Sequence, residues 1–116
     1  MLKYTGIKWR KGEKMEVKYS VAGERLSFYL KGELDERYAK GVKDYIETVL
    51  DERPLARKIV FNMQDLSFMD STGVGMLLGR YKRLKKQGKE CFIENPTPSV
   101  EKVIAVSGIY DIMPKI

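Results

Sequence analysis

Four consecutive residues, Asp70-Ser71-Thr72-Gly73, put one carboxylate and two hydroxyls where an apolar strand-like run gives way to a helical pattern. A side-chain oxygen at such a junction, from Asp70 or Ser71, caps the helix by accepting hydrogen bonds from its first free N–H groups. A hydroxyl placed there also lies beside the positive end of the helix dipole. A phosphate on it would bring roughly −1.5 to −2 charges to a place where donors are at hand, stabilised by about 0.3–1 kcal/mol of dipole interaction. Asp70 alongside would repel the phosphate, so the local surface would change its charge sharply, which suits a binding switch. Chemistry of the chain's own is not indicated. The sequence has no histidine, which removes a Ser-His-Asp triad and a histidine metal site. The glycines at 73, 75 and 79 lack the spacing and trailing Lys-Ser/Thr of a phosphate-binding loop. The carboxylate pair Glu33 and Asp35 reads as turn and cap residues. No catalytic residues, metal ligands or cofactor are expected.

The elements that must hold this junction can be read on either side of it. Met15, Val17, Tyr19 and Val21 alternate as a strand, Ala22-Gly23-Glu24-Arg25 offers a turn, and Leu26 to Leu30 forms a second strand, together a hairpin. Gly32-Glu33-Leu34-Asp35 marks a strand-to-helix turn with Asp35 as candidate N-cap. Tyr38, Val42, Tyr45, Ile46, Val49 and Leu50 then recur on one helical face up to about Asp51, ahead of Pro54. Ile59-Val60-Phe61 with Met63 is a short buried strand leading to the junction. After it, Val74, Leu77, Leu78, Tyr81 and Leu84 give a second amphipathic helix that ends in a basic turn before Gly88. Gly75 and Gly79 border that stripe with Met76, and read either as close packing of helix on sheet or as a partner's footprint. Glu90 to Glu94 is a further strand, and Thr97-Pro98 opens a third helix ended near Gly108. Residues 110–116 read as a fifth, edge strand, because Pro114 argues against a central position. The order β-β-α-β-α-β-α-β predicts an α/β fold with a mixed four- to five-stranded sheet, an N-terminal hairpin and about three helices.

Composition sets the wider bounds. A chain of 116 residues with 43% hydrophobic and 33% charged residues is one folded domain. Of the net charge of +6, residues 1–14 carry +4, through Lys3, Lys8, Arg10, Lys11 and Lys14 against Glu13. The basic excess is thus mostly a property of an N-terminal extension with neither alternation nor a helical stripe, loosely attached, from which Tyr4, Ile7 and Trp9 could dock. An alternative start at Met15 would make this extension non-native, since Lys11-Gly12-Glu13 can be encoded by purine-rich codons resembling a ribosome-binding site. The lone Cys91 lies in an apolar run as a small buried hydrophobe, which suits a reducing cytoplasm. No apolar run reaches the roughly 20 residues of a membrane span. Nucleic-acid binding through the basic helix end and tail is disfavoured, because aromatic and basic residues are not interleaved on a strand face.

The block Leu66-Ser67-Phe68-Met69-Asp70-Ser71-Thr72-Gly73-Val74-Gly75, continued by Leu78-Gly79-Arg80-Tyr81-Lys82, resembles the signature of STAS-domain anti-sigma factor antagonists, and is most similar to the sporulation branch acting on the forespore sigma factor. Gly32-Glu33-Leu34-Asp35, Asn95-Pro96 and Ser107-Gly108-Ile109 match further blocks, so the resemblance runs from about Met15 to the end of the chain. It implies a STAS fold and a monomeric, cytoplasmic, non-enzymatic switch that binds neither nucleic acid nor membrane. The unphosphorylated form would bind a nucleotide-bound anti-sigma factor that is also a serine kinase, and release the sigma factor. Phosphorylation of Ser71 would end the interaction, and a PP2C-type phosphatase would restore it. Asp70 carries over as the kinase's recognition neighbour. Glu33 and Asp35 carry over as part of the facing surface, beside Thr72, Gly73, Gly75, Met76 and Gly79. Thr72 stands where relatives often have a second serine, and Glu36-Arg37-Tyr38 where they often have histidines or small residues. The family's last helix has no counterpart after the tail strand. The other reading within the same fold is a STAS module of a different stress-signalling or membrane-linked regulator.

Overall fold

The computed structural model describes the backbone of residues 3–8 and the whole of residues 14–116. Its first strand in chain order, β1, is Lys3–Lys8. The expected hairpin follows as β2, Met15–Ala22, and β3, Arg25–Leu34, in antiparallel register from Met15 opposite Gly32 to Ala22 opposite Arg25. Gly23, with φ +61°, turns the loop. The first helix, α1, covers Ala39–Glu52, and the strand β4 covers Lys58–Met69. The second helix, α2, is Ser71–Lys86, the strand β5 is Glu90–Glu94, and α3 is Pro98–Ser107, followed by a 3-10 turn at Ile109–Asp111. The sheet runs β1-β2-β3-β4-β5, with β3, β4 and β5 parallel and the first three strands antiparallel.

Two expectations about the ends of the sheet change. Lys3–Lys8 is not a loosely attached segment, because it pairs with β2 over six positions. Without it, β2 would present an open edge of backbone donors and acceptors, which an adjacent chain segment readily fills. The expectations about docking by Tyr4, Ile7 and Trp9 concern side chains outside those described. At the other end, residues 110–116 form the 3-10 turn and a single parallel bridge from Lys115 to Ile93, not a strand. Ile93 N–H donates to Pro114 O at 3.0 Å and Ile116 N–H to Ile93 O at 2.9 Å, and Pro114 itself has no N–H to extend the ladder.

The core joins one sheet face to the helices. Val17, Leu26, Phe28, Leu30, Phe61 and Met63 from the strands meet Val42, Ile46, Leu50, Leu77, Leu84, Val100 and Ile104. Phe28 and Phe61, opposite each other across β3 and β4, stack at 5.8 Å between ring centroids. Cys91 is buried and its thiol is pushed up to about 12 by that burial, so it stays a protonated, unreactive filler. The helical stripe expected in α1 is buried as read, with Tyr45 partly so. In α2 the buried face lies a step round from the expected one: Gly73, Met76, Leu77, Arg80 and Leu84 are buried, while Val74, Leu78 and Tyr81 are only partly so. The rotation arises because Gly73 must face inward, and it carries the charged Arg80 in with it.

Candidate functional site

Parallel pairing brings the two predicted motifs together. Leu34 ends β3 directly opposite Met69 at the end of β4, and Asp70 N–H donates to Leu34 O at 3.3 Å. The Gly32-Glu33-Leu34-Asp35 turn and the Asp70-Ser71-Thr72-Gly73 junction therefore lie side by side at the carboxyl ends of neighbouring parallel strands, where open α/β sheets place their ligand sites. Gly73 is the pin between them. A Cβ there would fall 2.8 Å from Met69 Cγ and 3.0 Å from both Leu34 Cγ and Leu34 O.

Of the two candidate caps, Asp70 takes the role. Its Oδ1 accepts from Thr72 N–H at 2.9 Å and Gly73 N–H at 3.3 Å. Ser71 is left as the first residue of α2, exposed, with no hydrogen bond to its hydroxyl among the described residues. Replacing Asp70 with Ala should lower unfolding free energy by about 1 kcal/mol, the usual worth of an N-cap. Urea denaturation would read it, and Asp70→Asn or Asp70→Ser should recover most of the loss.

Asp35 is not the cap of α1, whose N-cap residue is Tyr38. The helix starts one turn later than expected because Asp35 closes a turn of its own. Its carbonyl accepts from the N–H groups of Tyr38 and Ala39, and its Oδ1 from Arg37 N–H at 2.9 Å. The Arg37 guanidinium spans both turn carboxylates, at 2.8 Å from Asp35 Oδ2 and 2.6 Å from Glu33 Oε2. This pairing, with the backbone bond, holds the Asp35 carboxyl below its ordinary value, so it remains ionised at neutral pH. Sequence reading missed Arg37 as their partner. The signal was present in the spacing, since a cation two residues after one carboxylate and four after another can reach both across a turn.

Gly75 and Gly79 do not pack closely against anything: a Cβ at either would meet no atom within 4 Å. Close packing of helix on sheet therefore fails for these two and holds for Gly73 alone. Met76 is buried beneath them. Phe68, to which the sequence pattern assigns no surface role, is 47% exposed just ahead of the junction. Its outward turn follows from the register: Gly32 pairs with Leu66 and Glu33 with Phe68, so Ser67 is an extra residue in β4. That irregularity is fastened by Ser67 Oγ donating to Gly32 O at 2.9 Å, Ser99 Oγ to Ser67 O at 3.1 Å and Thr97 Oγ1 to Leu66 O at 2.8 Å. Thr97 stands at the N-cap position of α3 but spends its hydroxyl here and does not cap with it, while Pro98 starts α3 as read.

The site is therefore a small exposed platform: the Asp35 turn, Phe68, the free Ser71 hydroxyl and a glycine-lined stretch of α2. It has no cluster of three or more possible metal-ligating side chains among the described residues, and no described helix is long and apolar enough to cross a membrane.

Residues 14–116 match the STAS domain family. An anti-sigma F factor antagonist of Paenibacillus polymyxa is 35% identical over 85 residues, covering 73% of this chain and 72% of the relative. An anti-sigma-B factor antagonist of Bacillus subtilis (strain 168) is 35% identical over 74 residues, covering 60% and 68% respectively. Among solved structures, the anti-sigma factor antagonist SpoIIAA in its unphosphorylated form superposes with a TM-score of 0.72 at 32% identity, over 88% of this chain and 87% of that one. The phosphorylated form of the Bacillus cell fate determinant SpoIIAA superposes with a TM-score of 0.65 at 31% identity, over 88% and 90%. With the family's domain spanning all but the first residues, and curated relatives above 30% identity across most of their own length, this chain belongs to the STAS-domain anti-sigma factor antagonists.

Proposed function

We propose that this protein is a phosphorylation-controlled antagonist in which Ser71 is the modified residue. The unphosphorylated form binds an anti-sigma factor that is also a serine kinase, nucleotide-bound, and thereby frees the sigma factor. Phosphorylation at Ser71 ends the contact and a PP2C-type phosphatase resets it. The observation that supports this most is the division of labour at the head of α2. Asp70 supplies the cap, so the Ser71 hydroxyl carries no structural duty and is free to receive a phosphate. A kinase reaching Ser71 would also meet Asp70, Thr72, Gly75 and Gly79 along α2, and Glu33 and Asp35 on the neighbouring turn, whereas Gly73 and Met76, expected in the same surface, are buried and would only support it. The similarity to SpoIIAA and to anti-sigma F factor antagonists supports a sporulation role acting in the cytoplasm. Relatives named for sigma-B favour, as a second reading, a stress-response circuit; the sigma factor and kinase genes encoded beside this one distinguish the two.

Incubation with the neighbouring kinase and ATP should add the mass of one phosphate, and Ser71→Ala should add none. An unchanged wild-type mass would overturn the proposal, and phosphate persisting in Ser71→Ala would move the site to another hydroxyl, Thr72 first. The glycines give an independent check. With nothing within 4 Å of either Cβ position, Gly75→Ala and Gly79→Ala should each stabilise the free protein by about 0.8–1 kcal/mol through helix propensity. If α2 is the footprint, the same methyl groups should weaken kinase binding in calorimetric titration, so that stability rises while affinity falls.

A further inference from the structure

The helices α1 and α2 run parallel, with Ala39 to Lys43 beside Thr72 to Met76 and Glu47 beside Arg80. Between their first turns lies a cleft lined by Ala39, Lys40, Lys43, Thr72, Gly75, Met76 and, at its inner end, Arg80. Arg80 is unusual for its type. Only 9% of its side chain is exposed, and its Nε and Nη1 are buried without a hydrogen bond. Its charge is only partly answered. Glu47 Oε1 stands 3.2 Å from Nε, but Glu47 also pairs through Oε2 with Arg83. Lys43 forms no ion pair among the described residues, and Lys40 meets only the exposed Asp44, at 3.2 Å. A guanidinium only partly neutralised by a shared carboxylate, in the wall of a cleft that also carries two surface ammonium groups, makes that cleft a cationic recess suited to an anion.

We infer that the α1–α2 cleft receives a carboxylate side chain from an acidic segment of the partner protein, which lies between Lys40 and Lys43 over the Arg80 guanidinium and is held by their combined positive charge. This rests on the reading of the neighbouring Ser71 as the partner's target, since Thr72 lines the cleft and places it within the same footprint. A carboxylate fits better than a phosphate. Glu47 already pairs with Arg80 behind the cleft and is itself only partly exposed, so a dianion would meet a nearby negative charge that a monoanion tolerates. The open space over Gly75 is what admits the incoming side chain. The arrangement also links the cleft to the switch. A phosphate on Ser71, one residue from the cleft wall, would repel the carboxylate there and compete for the two lysines, so modification would empty the cleft as well as block the hydroxyl.

Two arms test this on the full chain. In the first, the free protein labelled with 15N is titrated with a tetraglutamate peptide and, separately, with inorganic phosphate. The Arg80 Nε–Hε, Thr72 and Gly75 signals should shift saturably with the peptide in wild type, and the shifts should vanish in Lys43→Gln and Arg80→Gln. No saturable shift, or tighter binding of phosphate than of peptide, overturns the carboxylate site. In the second, the cognate kinase is titrated at low and high salt. Lys43→Gln, at an exposed position that should leave the fold intact, should weaken binding about fivefold at low salt and flatten the salt dependence, and Arg80→Gln should weaken it more than tenfold. Wild-type affinity for both variants overturns the proposal. If wild type fails to bind the kinase at all, the partner reading falls instead, and the peptide arm still decides the cleft.

Discussion

Ser71→Asp is expected to lower affinity for the kinase partner about a hundredfold, roughly 3 kcal/mol, while leaving the far-UV circular dichroism and the urea midpoint of the free protein nearly unchanged. Both halves follow from the same geometry. In the free protein the side chain points into solvent from the first position of α2, and Asp70 alone satisfies the Thr72 and Gly73 N–H groups. A new carboxylate there gains a little from the helix dipole and loses a little to Asp70, so the net effect on folding should stay within about 0.5 kcal/mol. In the complex the balance is different. A surface that closes over Ser71 removes water from the added charge and from Asp70 together, and two like charges in a drying interface are strongly unfavourable. Calorimetric titration of wild type, Ser71→Asp and Ser71→Asn at one salt concentration separates charge from size, and the asparagine should lose far less than the aspartate. If Ser71→Asp unfolds the domain, the residue is structural and the switch assignment fails. If it folds and binds as wild type, Ser71 lies outside the interface.

How much of this platform was legible in the sequence depends on whether local patterning or register determines each feature. The hairpin and β5 follow from alternation and turn residues and lie where those signals put them, while α1 buries the face its periodicity predicts but begins one turn after its expected cap at Asp35. The junction at Asp70 is equally local, although sequence leaves Asp70 and Ser71 as alternative caps and only the backbone geometry chooses between them. Phe68 and the length of β4 were not legible. Register shifts occur between Tyr29 and Lys31 and between Gly32 and Glu33, and each breaks the two-residue period by which a strand is read, so residues 64–69 give no clean alternation. Arg80 was hidden for another reason. A basic residue in an amphipathic helix is assigned to water by default, and only the inward demand of Gly73 and the acceptor on α1 at Glu47 reverse that. The N-terminal strand has no side-chain pattern to announce it, because its formation rests on the open edge of β2. The side-by-side position of the Asp35 turn and the Asp70 junction is a property of parallel pairing across 35 residues, which the resemblance implied and periodicity alone could not supply.

The largest loss of stability is expected at Gly32, which binds that arrangement together. Its φ of +110° is a conformation that side-chain-bearing residues rarely adopt, and a Cβ would fall 2.1 Å from Lys14 O and 2.8 Å from Lys14 C. Neither atom can swing aside as a flexible side chain would. Lys14 O accepts the Glu33 N–H at 2.8 Å, and Lys14 N–H donates to Tyr38 Oη at 3.0 Å, so moving this peptide pulls on both ends of the turn that carries Glu33 and Asp35. On the other side, Gly32 O holds the Ser67 hydroxyl that fastens the β4 irregularity. Backbone strain and overlap together should make Gly32→Ala destabilising by about 3 kcal/mol or more. Gly23→Ala is the matched control, because Gly23 also has positive φ, +61°, but nothing within 4 Å of its Cβ position. It should lose only about 1 kcal/mol, from the left-handed conformation alone. Urea unfolding of both variants measures the difference. At a temperature where Gly32→Ala is still folded, it should also bind the kinase more weakly than Gly23→Ala, because displacing Lys14 shifts the Asp35 turn relative to Ser71, whereas the hairpin loop at Gly23 lies at the far end of β3. Equal stability of the two variants would mean that the Lys14 peptide relaxes freely, and the turn would then not be held by this contact.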